Sequence, residues 1–225
     1  MPENALKVGT FGPNRVTGTV LRANAPGVAY PARADGAGAF AYKVASELGF
    51  RRVLLLARRL DEPIADAVSG LAVELARLGA HEIDDYLALR PDAERARVAG
   101  HLASGWTCHV ARVDGRIVSA CWSVAPTYWS SYLECEMPAF DGGAYLADAW
   151  THDRYRGHSL AQFVCLEQLR HLRARGFRLA LRGTVPENRP ALRAHAKSGF
   201  RPVATLGRLR VGPWRGHFRR DLPLA

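Results

Sequence analysis

Apolar positions along this chain follow two periods, two and about 3.6, and the switches between them mark its elements. Residues 1–36 keep neither period. "RVTGTVLRA" at 15–23 can form a strand, but "NAPGVAYPARADGAGA" is turn chemistry throughout. "FAYKVASELG" reads as a helix ending at Gly49, and "RRVLLLARRL" at 51–60 as a short buried strand. From residue 72 the pattern is regular. "LAVELARL" predicts a strand, and "AHEIDDYLAL" and "DAERARVAGHLASG" predict two helices. "WTCHVARVDGRIVSACWSV" predicts a hairpin turning at Asp114-Gly115. "SSYLECEM" and "GGAYLADAWTH" predict two further strands.

The run "SLAQFVCLEQLRHLRARG" has helical spacing and stops at Gly176. Leu160, Ala161, Val164, Cys165, Leu169 and Leu172 share its apolar face, with Gln162, Glu167, Arg170 and Arg173 opposite. "FRLALRGTV" alternates Phe177, Leu179 and Leu181 with polar neighbours, as a half-buried strand does. "NRPALRAHAKSG" predicts a short helix with Asn188 as N-cap, Pro190 in the first turn and Gly199 past the end. "FRPVATLGRLRVGP" predicts a last strand or bent hairpin. Strands followed by helices in this order predict an α/β fold, a mixed sheet with helices on both faces.

Composition excludes several classes. Apolar residues are 48% and charged residues 23%, which suits a globular core. No stretch is long and apolar enough to span a membrane, and the N-terminus lacks the apolar centre of an export signal. The scattered Cys108, Cys121, Cys135 and Cys165 then read as reduced, packed thiols in a cytoplasmic protein. The net charge of +10 is uneven: residues 151–225 hold 16 Lys+Arg against 4 Asp+Glu. Such a patch attracts phosphates, nucleic acid or an acidic protein, or is only a solvated basic face.

That charge bears on "RYRGHSLA" at 154–161, which joins a strand to a helix. A helix N-terminus leaves backbone N–H groups without intrahelical partners, and the macrodipole favours an anion there. Gly157 permits close backbone approach, Arg154 and Arg156 add forked donors, and Ser159 is small and carries a hydroxyl. No zinc-ligand spacing, GxSxG or P-loop signature competes.

Two motifs then coincide. Arg154, Gly157 and Ser159 match the loop Q/R-x-x-G-x-G/A, with Ser in the last place. Asn188, Ala191, Lys197, Gly199 and Phe200 match N-x-x-A-x-x-x-Y-x-K-x-G-F, with His195 at the tyrosine position. In this order and distance the segment resembles the core of the GNAT superfamily of acyl-CoA-dependent N-acyltransferases, over about 72–216. The resemblance implies a mostly antiparallel mixed sheet with splayed central strands. It divides the chain into an N-terminal extension (1–71), a GNAT-like domain (72–216) and a tail (217–225). It implies acetyl-CoA or another acyl-CoA as co-substrate. The pyrophosphate would sit on the amides of 156–161, beside Arg154, Arg156, Gly157, His158 and Ser159, with Asn188 a further contact or only a cap. The pantetheine arm would pair with the strand at Trp150 and Thr151, and amides near the splay would form an oxyanion hole.

Asp148, two residues before Trp150, is the candidate base, or else an ion-paired strand residue. His195 is the candidate acid for the departing thiolate, or else binds phosphate or packs. Glu134 and Glu136 are second-choice bases, with a solvated strand face as the other reading. Tyr128, Trp129 and Tyr132 either line an acceptor pocket or pack in a core or dimer contact. The expected reaction is direct acyl transfer to a primary amine on a small molecule or peptide. Two alternatives stay open: a donor carried by an acidic carrier protein or by aminoacyl-tRNA, and a non-catalytic binding module. A homodimer is also open.

Overall fold

The computed structural model describes residues 44–66 and 69–223. The turn-rich 1–36 and the strand candidate at 15–23 lie outside the described residues, as does the start of the helix expected from residue 40. Residues 44–47 of that helix are helical, and Gly49 follows at φ +101°.

The strands are β1 (Arg51–Arg59), β2 (Glu74–Arg77), β3 (Thr107–Val113), β4 (Arg116–Val124), β5 (Trp129–Ser130), β6 (Cys135–Glu136), β7 (Gly143–Thr151), β8 (Leu179–Thr184), β9 (Arg201–Val211) and β10 (Trp214–Asp221). Among the described residues the α-helices that follow residues 44–47 are α1 (Ile83–Leu89), α2 (Arg95–Ala103), α3 (Leu160–Ala174) and α4 (Arg189–Lys197). Eight strands form one sheet in the order β10-β9-β1-β8-β7-β4-β3-β2. The β7–β8 pair is parallel and the other neighbours are antiparallel. β5 and β6 make a separate two-stranded hairpin, so "SSYLECEM" does not supply the full strand its pattern suggested.

Two apolar faces hold the helices. α1 and α2 pack on β3 and β4 through Ile83, Tyr86, Leu89, Val98, Val110 and Trp122. α3 covers the opposite face through Val164, Cys165, Leu166, Leu169 and Leu172, with Phe200 alongside. Each such side chain withdrawn from water contributes about 1.5–3 kcal/mol. Leu166, outside the apolar face expected for α3, is buried with the rest, while Ala161, on that face, is exposed.

Two boundaries drawn from the sequence need correction. β1, placed in the N-terminal extension, lies inside the sheet between β8 and β9. β10 runs to Asp221, across the boundary at 217, and pairs with β9 along its length. Both errors share a cause: the motifs that delimit the resemblance lie in the strand–helix units, and edge pairing has no motif.

Candidate active site

Parallel pairing of β7 and β8 covers Gly143↔Leu179, Ala144↔Ala180 and Tyr145↔Leu181, and stops there. Beyond it β7 pairs only with β4 and β8 only with β1, so the two central strands part. The splay expected from the resemblance is therefore present.

On its β4 side, β7 carries a bulge. Ala120 faces Trp150 and Trp122 faces Ala147, so Cys121 stands opposite both Asp148 and Ala149. Asp148 takes the left-handed conformation, φ +48°, which a β-carbon tolerates poorly. The bulge turns its carboxylate toward the end of α1. Arg90 Nη1 donates to Asp148 Oδ1 at 2.7 Å, and the same guanidinium grips Asp92 through Nε and Nη2. Arg90 is 3% exposed and lies over the Trp150 ring, 4.6 Å from its centroid. Burial lowers its pKa, but hydrogen bonding to Asp92 and the charge of Asp148 outweigh that and raise it. Asp148 keeps 35% of its side chain exposed, so the ion pair leaves it open to solvent.

Trp150 and Thr151 continue β7 past the bulge. The Ser119 hydroxyl donates to the Trp150 carbonyl at 3.1 Å and shares a 2.8 Å contact with the Thr151 hydroxyl. These bonds and the β4 pairing bind one side of the strand. The side facing β8 stands beyond the last β7–β8 pair.

The strand then enters the turn. Asp153–Tyr155 form a 3₁₀ turn in which the Arg154 N–H donates to His152 Nδ1 at 3.2 Å. Arg156 is drawn back to Asp153 at 2.7 Å, an ion pair in solvent. Gly157 has φ +90°, and a Cβ placed there would meet nothing within 4 Å, so the space above its backbone is open. His158 is exposed, and its carbonyl lies 3.5 Å from the Ser69 hydroxyl. Ser159 sits at the N-cap of α3 with φ +62° and ψ 12°, and its side chain makes no capping bond. A serine normally accepts from the N2 or N3 amide. Here the backbone is left-handed, and the first amides of α3 keep no side-chain partner. Open glycine backbone, uncapped amides and nearby arginines fit a pyrophosphate.

α4 starts as expected. Asn188 Oδ1 accepts from the Ala191 N–H at 3.2 Å, so its side chain is a cap. His195 lies near the helix end, half-buried, with Arg182 Nη1 3.0 Å from its Nδ1. Arginine can only donate, so Nδ1 accepts and the proton of the neutral ring is on Nε2. Burial first and Arg182 second push the His195 pKa down to about 2. The imidazolium expected from the sequence is thus not the species this environment holds at neutral pH.

The second-choice carboxylate is otherwise engaged. Glu134 forms ion pairs with Arg208 and Arg215. Its burial works against ionisation, but the Arg208 bond and charge prevail and lower its pKa. Glu136 lies half-buried on β6, opposite Trp129. Tyr128 packs between Trp106 and Tyr145, at 6.1 and 5.5 Å between ring centroids. Tyr132 lies under Arg51, and Trp129 is 57% exposed. These tyrosines serve the core around Leu133 and Met137.

Sequence reasoning missed Arg90, Arg182 and Gln168. Gln168 is fully buried, and its Nε2 donates to the Cys121 carbonyl at 2.7 Å, behind the bulge. Arg182 is 5% exposed. A signal was available for it: a strand bracketed by helices on both faces buries both side-chain sets, so the non-leucine set of "LALRGT" must also be inside.

A family model described as the acetyltransferase (GNAT) family matches residues 75–200. No curated protein matches the sequence. Among solved structures, a GCN5-related N-acetyltransferase from Sphaerobacter thermophilus is similar at TM-score 0.53 and 16% identity, over 80% of this chain and 56% of that one. One from Kribbella flavida is similar at TM-score 0.50 and 21% identity, over 73% and 60%. The glucosamine N-acetyltransferase region of a fungal multi-domain GH3 β-N-acetylglucosaminidase gives TM-score 0.51 and 14% identity, over 82% and 23%. The chain thus spans less than two thirds of each, and at these identities the likeness is one of fold.

Proposed function

Because the chain belongs to the GNAT acetyltransferase family, we propose that it moves an acetyl or other acyl group from acyl-CoA to a primary amine by direct attack. The observation that carries this reading is the sequence of features along one strand: β7 parts from β8, bulges at Asp148, and ends in an open glycine turn on the uncapped N-terminus of α3. The amides of 156–161, with Arg154, Arg156 and His158, would hold the pyrophosphate. The free side of β7 at Trp150 and Thr151 would take the pantetheine arm. Bound acyl-CoA supplies a thioester carbonyl for attack.

This chain's own groups supply the rest. Asp148, solvent-open and held by Arg90, receives the amine's proton directly or through water. Backbone amides at the bulge are suited to polarise the carbonyl oxygen. Asn188 keeps α4 in place as its cap. The acceptor enters as an amine of a small molecule or peptide. Among the described residues no helix is long and apolar enough to cross a membrane, and we place the protein in the cytoplasm.

The carrier-protein or tRNA reading rested on the basic C-terminal third. Several of those arginines are spent in local ion pairs: Arg170 with Asp66, Arg178 with Asp141, Arg208 with Glu134 and Arg219 with Asp221. That favours CoA as donor. The test is thiol release from acetyl-CoA over a panel of primary amines. Amine-dependent release that Asp148→Asn abolishes supports the reading; no release with any amine, donor or carrier-linked acyl group contradicts it.

A further inference from the structure

Arg182 is a buried guanidinium without a carboxylate within 4 Å among the described residues. It is 5% exposed, yet it enters none of the ion pairs among the described residues. The other deeply buried arginines, Arg58, Arg90, Arg112 and Arg208, each have an acidic partner. Arg182 has neutral neighbours instead. Nη1 donates to His195 Nδ1 at 3.0 Å and lies 4.0 Å from Cys165 Sγ. Nη2 lies 3.3 Å from Cys121 Sγ, and the Phe200 ring centroid is 5.6 Å from Cζ. A buried charge held only by thiols, an imidazole and a ring is costly unless an anion joins it.

Its place in the fold indicates which anion. Arg182 is the first residue of β8 past the last β7–β8 pair, Tyr145↔Leu181. Its guanidinium reaches beneath β7 to Cys121 of β4, whose sulfur is 3.5 Å from the Ala147 carbonyl. Ala147 directly precedes the Asp148 bulge. The charge therefore lies where the two strands part, on the α3–α4 side, while Asp148 and Arg90 lie on the α1 side.

We propose that Arg182 is the electrostatic partner of the thiolate released in the transfer, with His195 beside it as a second donor. The inference rests on the acyl-CoA reading above. In the balanced step the amine nitrogen bonds to the acyl carbon, its proton passes to Asp148 or solvent, and the C–S bond breaks with its electron pair left on sulfur. Arg182 holds that sulfur as an anion, and the neutral Nε2–H of His195 is a second donor to it. Solvent protonates the thiolate after release. The exchange of tyrosine for histidine in the second motif then has a reason: an imidazole can accept from Arg182 at Nδ1 while still donating at Nε2. Cys121 is no rival for the charge, since burial pushes its pKa up to about 12 even beside Arg182.

The test is the acidity of the CoASH thiol when bound, read from thiolate absorbance across pH and from the pH dependence of affinity, with desulfo-CoA as control. The titratable groups facing Arg182 are Cys121 of β4, Cys165 of α3 and His195 of α4; at longer range the charge of Asp148 of β7 acts on Cys121 and that of Arg58 of β1 on Cys165. Both buried thiols are shifted upward, so their signal is absent below the CoA transition and is subtracted with the desulfo-CoA complex. The expected result is a bound thiol at least about tenfold more acidic than free CoASH, one unit or more. Arg182→Gln should remove most of that shift and leave desulfo-CoA affinity unchanged, and His195→Ala should remove part of it. CoASH that binds with an unshifted thiol overturns the inference alone, and the wild-type protein suffices to show it if Arg182→Gln does not fold. Failure of both CoASH and desulfo-CoA to bind overturns the acyl-CoA reading, and the inference with it.

Discussion

Arg90 and Asp148 meet at 2.7 Å, tying the C-terminal end of α1 to the left-handed bulge of β7. A carboxylate on a strained backbone is thereby held in one direction while a third of it faces water. Asp148→Asn keeps the shape and removes the basic group. In the transfer assay kcat should fall about 10²–10⁴-fold, while CoA affinity by calorimetry stays at the wild-type value. A kcat near wild type would remove Asp148 from the chemistry.

Arg90→Met tests the other half of the pair. It leaves Asp148 and Asp92 without their shared guanidinium and takes away the cation over Trp150. Asp148 is more than a third exposed, so solvent screens part of the loss. Urea denaturation should register a cost of about 1–3 kcal/mol. A stability equal to wild type would show that the pair does not hold the bulge.

Acid sensitivity follows from two histidines that lose solvent on folding. Burial first and His171 second push the His109 pKa down to about 4, and His195 goes down to about 2, both from 6.5. As pH falls below 6.5 the unfolded chain takes up these protons and the folded chain does not. Stability is therefore full above that point and is lost as pH drops toward each folded value, by up to ~1.4 kcal/mol per pH unit for each group. Urea midpoints between about pH 4.5 and 7.5 should fall with acid, and His109→Gln should flatten the slope. A slope unchanged in that variant would contradict the assignment for His109.

Gly199→Ala should destabilise for two reasons at once. The residue has φ +81°, and a Cβ there would run into the Arg58 guanidinium. Arg58 in turn bonds the Pro63 carbonyl at 2.6 Å, so it cannot easily move aside. A cost of about 2–4 kcal/mol is expected from denaturation. A change below about half a kcal/mol would mean that Arg58 yields.

These tests fall on residues of unequal legibility. Gly157, Asn188 and Gly199 could be placed from sequence because each obeys a local rule of turn or cap chemistry that needs no knowledge of the sheet. The fold class was readable for the same reason: strand–helix order is local. Arg90, Arg182 and Gln168 were not, since their roles depend on which side chains arrive from distant strands. Arg182 was counted among the polar neighbours in an alternating strand, yet β8 is central and buries both faces. His195 was readable as a position but not as a protonation state, because that depends first on burial in the folded packing and then on Arg182, thirteen residues earlier on another element. β1 escaped because an apolar run shows that it is buried and not which strands flank it.

The central claim is that the turn after β7 and the amides of α3 hold the donor's pyrophosphate. Calorimetric titration with acetyl-CoA, on the wild-type protein and on Gly157→Val, tests it most directly. Saturable one-site binding to wild type is expected, weakened at least about tenfold in the variant, where a β-branched side chain meets φ +90° and fills the open space above the backbone. No binding by wild type at millimolar acetyl-CoA, or equal binding by both proteins, would contradict it.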